Sequence, residues 1–167
     1  AYESDGDRDY LITEAVSGED GTSRPHIDQP AKLAHVFGQY LRMLHSLPTE
    51  DCPYSNRTLE MISEFESKGV DLTALHAFPY SPVDDVLIHG DYCLPNIIMD
   101  NFAFRGFIDL DCGGVGDRHY DLYWGIWTLR YNLKTDAYKD IFLDAYGRSD
   151  VDTDGLLYFT KMMELTD

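Results

Sequence analysis

Between Val86 and Leu110, three short apolar runs are separated by residues that no continuous helix tolerates. Val86-Leu87-Ile88 is followed by Gly90. Asn96–Met99 follows Pro95, and Asp100-Asn101 divides it from Phe104–Leu110. Runs of this length bounded by Gly, Pro and Asx residues read as buried strands joined by turns. Upstream, the apolar spacing is helical: Leu33, Val36, Phe37, Tyr40, Leu41 and Leu44 share one face. That helix is expected to start near Asp28, with Pro30 in its first turn, and to stop at Pro48. The expected fold class is α+β, mainly helical, with a small β element.

Asp9–Val16 reads as a strand, the second arm of a hairpin that turns at Ser4-Asp5-Gly6-Asp7, and Ser17–Pro25 as a polar linker. A second helix is expected from Asn56 to Lys68, ended by Gly69. Val70–Pro82 reads as loop with one helical turn, and Gly113–Gly116 as a flexible connector. Arg118–Asn132 is apolar nearly all round, which predicts a buried central helix. Tyr138–Tyr146 and Leu156–Leu165 complete the helices.

Composition narrows the partners. Lys and Arg number 13 against 30 Asp and Glu, a formal net charge of −17, in a chain of 167 residues. Such a surface repels nucleic acid and anionic membranes and attracts cations. The three cysteines form no C-x-x-C pair, which fits a reduced, cytoplasmic protein. No apolar run approaches the ~18–20 residues a membrane helix needs. The polar opening Ala1–Asp9 does not read as a signal peptide.

The β element also carries chemistry. His89-Gly90-Asp91 is followed by Asn96, and the next strand ends in Ile108-Asp109. A carboxylate, a carboxamide and a second carboxylate suit phosphoryl transfer. Asp91 would accept the proton of an attacking hydroxyl, while Asn96 and Asp109 offer hard oxygens to Mg²⁺ on nucleotide phosphates. His89 reads as a packed, hydrogen-bonded residue rather than a base.

These residues resemble the catalytic lobe of the aminoglycoside and choline kinase group, whose fold is protein-kinase-like. His89–Asn96 is similar to its H-G-D-x-x-x-x-N loop, Ile108-Asp109 to its metal-binding I-D, and Asp121 to the helix-start Asp that steadies the loop. Leu44-His45-Ser46-Leu47 and Asp51–Arg57 resemble substrate-side segments of aminoglycoside 3′-phosphotransferases. The resemblance implies a chain divided into residues 1–18, the end of a small-lobe hairpin and its hinge, and residues 19–167, the large lobe. It implies that the Thr13 carbonyl and Ala15 amide read the adenine of ATP or GTP. It also implies that Glu164, on a closing helix over Tyr158–Thr166, meets a cationic aminoglycoside.

Asp111-Cys112 stands where many relatives have Gly-Arg, and the chain ends Leu165-Thr166-Asp167 rather than in an aromatic. No Gly-rich phosphate loop precedes the hinge, and the first lysine is Lys32. The N-terminal lobe is therefore expected to be missing and the chain to be inactive alone. A choline or macrolide kinase, or a non-catalytic module for cationic ligands, are the competing readings.

Overall fold

The computed structural model describes residues 2–166. A hairpin of β1 (Tyr2–Ser4) and β2 (Asp9–Leu11) opens the chain, with Tyr2 opposite Leu11. The strand predicted to reach Val16 stops at Leu11. Ile12 and Val16 are exposed, so no buried face holds the segment as sheet.

The supposed linker holds two elements, β3 (Glu19–Asp20) and the single turn α1 (Arg24–Ile27). β3 pairs with β5 (Ile97–Asp100), which pairs in turn with β6 (Ala103–Phe107), all antiparallel. Gly18, at φ 132°, permits the approach, because a Cβ there would lie 2.6 Å from the Met99 carbonyl oxygen. Gly113–Gly116 is likewise no loose connector. Gly114–Gly116 forms β7, buried and paired with β4 (Val86–Ile88). A Cβ on Gly116 would lie 2.5 Å from the end of Ile88, so the strand is glycine by packing necessity.

Helix α2 (Pro30–Leu44) starts one residue later than expected, capped by Gln29, while Asp28 ends α1. α3 (Arg57–Ser67) and the one-turn α4 (Thr73–His76) lie as predicted. α5 (Arg118–Leu133) is central, followed by α6 (Lys139–Tyr146) and α7 (Thr153–Thr166). Trp124 on α5 borders both hydrophobic clusters. One joins Phe37, Leu41, Leu122 and Phe142; the other joins Ile88, Tyr120, Phe159 and Met162.

α2 and α6 make the most extensive helix contact. At Gly38 an added Cβ would sit 2.3 Å from the Phe142 carbonyl oxygen and 3.0 Å from the Ala145 Cβ. Gly38→Ala is expected to destabilise the fold by about 1–3 kcal/mol through overpacking, read as a lower urea midpoint. Among the described residues no helix is long and apolar enough to cross a membrane.

Candidate functional site

Strand β4 delivers His89, Gly90 and Asp91 to a turn whose backbone is fixed from below. Asp121, one turn into α5, is fully buried. Its carboxylate accepts the His89 amide at 2.6 Å and the Gly90 amide at 3.0 Å. His45, at the end of α2, adds a ring nitrogen at 3.1 Å. Two buried amides and an imidazole thus converge on one carboxylate, which offsets its desolvation.

Asp117 anchors the start of α5. Burial pushes its carboxyl up, but hydrogen bonds from His119, Tyr80 and the His119 and Val83 amides outweigh that and hold it below the usual range. The helix that carries Asp121 is therefore capped by a carboxylate that stays charged.

Asp91 is half-buried on the turn, and Asn96 is buried beside it. The Asn96 amide donates to the Asp91 carboxylate at 2.8 Å and to its carbonyl oxygen at 3.0 Å. With its N–H groups committed to Asp91, the Asn96 carboxamide oxygen is the atom left to face a cation. The Ile108 amide donates to the Asn96 carbonyl at 3.0 Å, which places Asp109 one residue beyond that link. Asp109 is exposed and left-handed, at φ 63°, a conformation that Asp tolerates better than most residues. An Asn oxygen and an exposed carboxylate on linked backbone are hard donors of the type that suits Mg²⁺.

His89 is packed as predicted, fully buried and edge-on to Tyr92 and Phe107. Its Nδ1 accepts a long 3.4 Å bond from the Asp91 amide, whereas Nε2 has no hydrogen-bond partner among the described residues. Only one ring nitrogen therefore meets the expectation of a hydrogen-bonded histidine. Thr13 and Ala15 lie in the irregular exposed stretch between β2 and β3. Glu164 is exposed on α7, 3.5 Å from Lys161, in a 390 Å³ groove with Tyr123 and Trp127.

Three carboxylates on and just after α3 have local partners. Glu60 meets Arg57 at 2.8 Å, Glu64 meets Lys68 at 2.6 Å, and Asp71 accepts the Thr73 amide at 3.0 Å. A cavity of about 690 Å³ lies beside Asp117 and Asp150, and no residue of the Asp91 turn lines it.

Two contributors escaped sequence reading. Burial and the adjacent Asp91 carboxylate push the Cys93 thiol well up, so it remains a neutral partner of Asp91 and no rival base. Arg57 donates to the Cys112 carbonyl at 3.1 Å, and the Tyr54 carbonyl accepts the Val115 amide at 2.7 Å. The segment before α3 therefore straps the loop that follows Asp109.

A sequence profile of the phosphotransferase enzyme family matches residues 1–158. The chain belongs to this phosphotransferase family. It is 42% identical to a Lactococcus lactis protein named "Probable aminoglycoside 3'-phosphotransferase", over 93% of this chain and 67% of that protein. An aminoglycoside 3′-phosphotransferase of Niallia circulans is 34% identical, over 95% of this chain and 68% of that one. The fold is similar to a crystal structure of a type VIII aminoglycoside 3′-phosphotransferase. The TM-score is 0.76 at 25% identity, with 94% of this chain and 68% of that chain covered. The α+β, mainly helical architecture is thus that of the large lobe of the protein-kinase-like fold.

Within this phosphotransferase, Gly90 has little freedom to change. Its φ is 84°, and a Cβ would lie 2.2 Å from the Cys112 carbonyl oxygen. Gly90→Ala is expected to cost about 2 kcal/mol in backbone strain, with further loss from the clash. The checks are a urea titration and the transfer rate of the full-length protein.

Proposed function

We propose that this chain is the base- and metal-bearing lobe of a nucleotide-dependent O-phosphotransferase acting on aminoglycoside hydroxyls, and so conferring antibiotic resistance. The observation that carries the reading is the Asp91–Asn96 pair, joined by two hydrogen bonds on a turn held by Asp121. The named relatives supply the substrate class.

Asp91 orients the substrate hydroxyl and accepts its proton as the oxygen attacks the terminal phosphoryl group. Asn96 keeps the Asp91 carboxylate aimed and turns its own oxygen toward the phosphates, with Asp109 as the second metal ligand. A Mg²⁺ ion held there supplies charge neutralisation on the triphosphate. The Thr13 carbonyl and Ala15 amide edge the nucleotide base of ATP or GTP, and Glu164 offers a carboxylate to a substrate amine. Asp121 and His89 support the turn from beneath. The net acidic surface steers a polycationic drug toward the lobe.

Residues 1–18 act in this reading as the end of a small lobe and its hinge, and residues 19–167 as the large lobe. Exposed Leu11, Ile12, Val16, Ile108 and Leu110 lie on the same segments as Thr13, Ala15 and Asp109. Apolar exposure so concentrated fits a further lobe closing over the nucleotide. Alone, the chain is expected to transfer phosphate poorly or not at all.

The test offers the full-length protein a panel of aminoglycosides, choline and a macrolide with ATP or GTP. Mg²⁺-dependent turnover of aminoglycosides, abolished by EDTA, is expected. Turnover of choline or the macrolide alone overturns the substrate assignment. Tight drug binding without any transfer points instead to a binding module.

A further inference from the structure

Below the Asp91 turn a line of polar side chains crosses the core. His45, Asp121 and Tyr146 are all buried. His45 Nε2 lies 3.1 Å from the Asp121 carboxylate, and His45 Nδ1 lies 2.9 Å from the Tyr146 hydroxyl. The two rings meet edge-on, with centroids 5.5 Å apart.

Donor and acceptor rules set the direction of this line. A carboxylate only accepts, so the nitrogen facing Asp121 must carry a proton. In the neutral imidazole Nδ1 is then an acceptor, and the Tyr146 hydroxyl must donate to it. Arg42 lies over the Tyr146 ring, 5.7 Å from its centroid, and the charges of Arg42 and Arg118 both act on the phenol. Arg42 and Arg118 are both paired with Asp150, and Arg118 also meets Asp85 at 2.9 Å. The Tyr146 and His45 protons therefore both point toward Asp121, to which the His89 and Gly90 amides also donate.

We propose that Tyr146 and His45 are positioning residues for phosphoryl transfer. Tyr146 holds the His45 ring through Nδ1, and His45 supplies through Nε2–H the third donor that fixes the Asp121 carboxylate beneath the His89–Gly90 turn. The inference rests on the phosphotransferase reading given above. Without the Tyr146 hydroxyl, Nδ1 loses its partner and the His45 ring is free to turn. The Nε2–H bond to Asp121 then weakens, which loosens the hold on the Gly90 amide. Asp91 and Asn96 keep their own bonds, but the turn that aims them is no longer fixed. Binding of substrates should change little, whereas the geometry of attack should suffer.

Tyr146→Phe in the full-length protein is the direct test, because it removes one oxygen and keeps the ring. Imidazole ¹⁵N spectra of the wild type are expected to show His45 as the Nε2–H tautomer, and the Nε2 proton of the variant to exchange faster with solvent. The His89 and Gly90 amides should exchange roughly tenfold faster, and kcat should fall roughly tenfold, the scale of one hydrogen bond to a charged group. Both KM values should stay within about twofold. His45→Gln still offers an N–H to Asp121 and should retain more kcat than His45→Leu; it carries the same measurements if Tyr146→Phe fails to fold.

An Nδ1–H tautomer in the wild type overturns the proposal, as does an unchanged kcat or unchanged amide exchange in Tyr146→Phe. A wild type that phosphorylates no aminoglycoside defeats the functional reading instead. The tautomer and exchange measurements still report on the positioning line in that case.

Discussion

Asp91→Asn in the full-length protein is expected to lower the rate of phosphoryl transfer roughly 10²–10⁴-fold, the range for loss of a positioned general base. The substitution is nearly isosteric, and Asn96 still finds an oxygen at position 91, so the turn should survive. The Asp121 cradle bonds the backbone of His89 and Gly90 and does not involve the Asp91 side chain. Thermal melting should therefore move little, and aminoglycoside affinity should fall by far less than the rate. Single-turnover kinetics separate the two, because a lost base slows the chemical step without emptying the site. Neutral thiol Cys93 is not placed to replace the base, since burial, the larger of the causes that keep it protonated, remains when the Asp91 carboxylate is removed.

Asp121→Ala should show the largest loss of stability. The change leaves the His89 amide, the Gly90 amide and the His45 ring nitrogen facing an apolar methyl in a buried site. Removing one member of a buried charged network costs about 3–5 kcal/mol, a large share of a typical domain's stability. Asp121→Asn keeps the shape and one acceptor oxygen, but it turns an NH₂ toward at least one of those donors. It should fall between the wild type and the alanine variant in urea midpoint, with kcat reduced in both. Equal stability of all three proteins would mean that the cradle does not hold the turn.

The grouping of the candidate site residues was legible because they lie close in sequence. Asp91, Asn96 and Asp109 sit on one turn and one hairpin, and the β5–β6 ladder brings Ile108 to Asn96 without help from distant residues. Helices with a clear apolar face were legible for the same reason. Elements whose sequence carries no apolar signal were not. β7 is Gly-Val-Gly because Ile88 crowds Gly116 while Arg57 and Tyr54 crowd Gly114, so close packing looked like flexibility. β3 is Glu-Asp, and only its pairing with distant β5 makes it a strand. The converse error occurred at Asp9–Val16, where strand-forming residues lack a buried face. Family likeness suggested a supporting role for Asp121, whereas His45 and Tyr146 became visible only where α2, α5 and α6 converge. No periodicity records such long-range polar pairing.

In the proposed reading the Asp91 site is half of an active site, and one measurement addresses that directly. The 167-residue chain, and the same chain carrying the segment of the Lactococcus lactis relative that lies outside the match, are each incubated with ATP, Mg²⁺ and an aminoglycoside. Mass spectrometry of the drug then reads the gain of a phosphoryl group. The extended protein is expected to phosphorylate the drug and the 167-residue chain to do so barely or not at all. Robust transfer by the 167-residue chain alone, or none by the extended protein, would contradict the account.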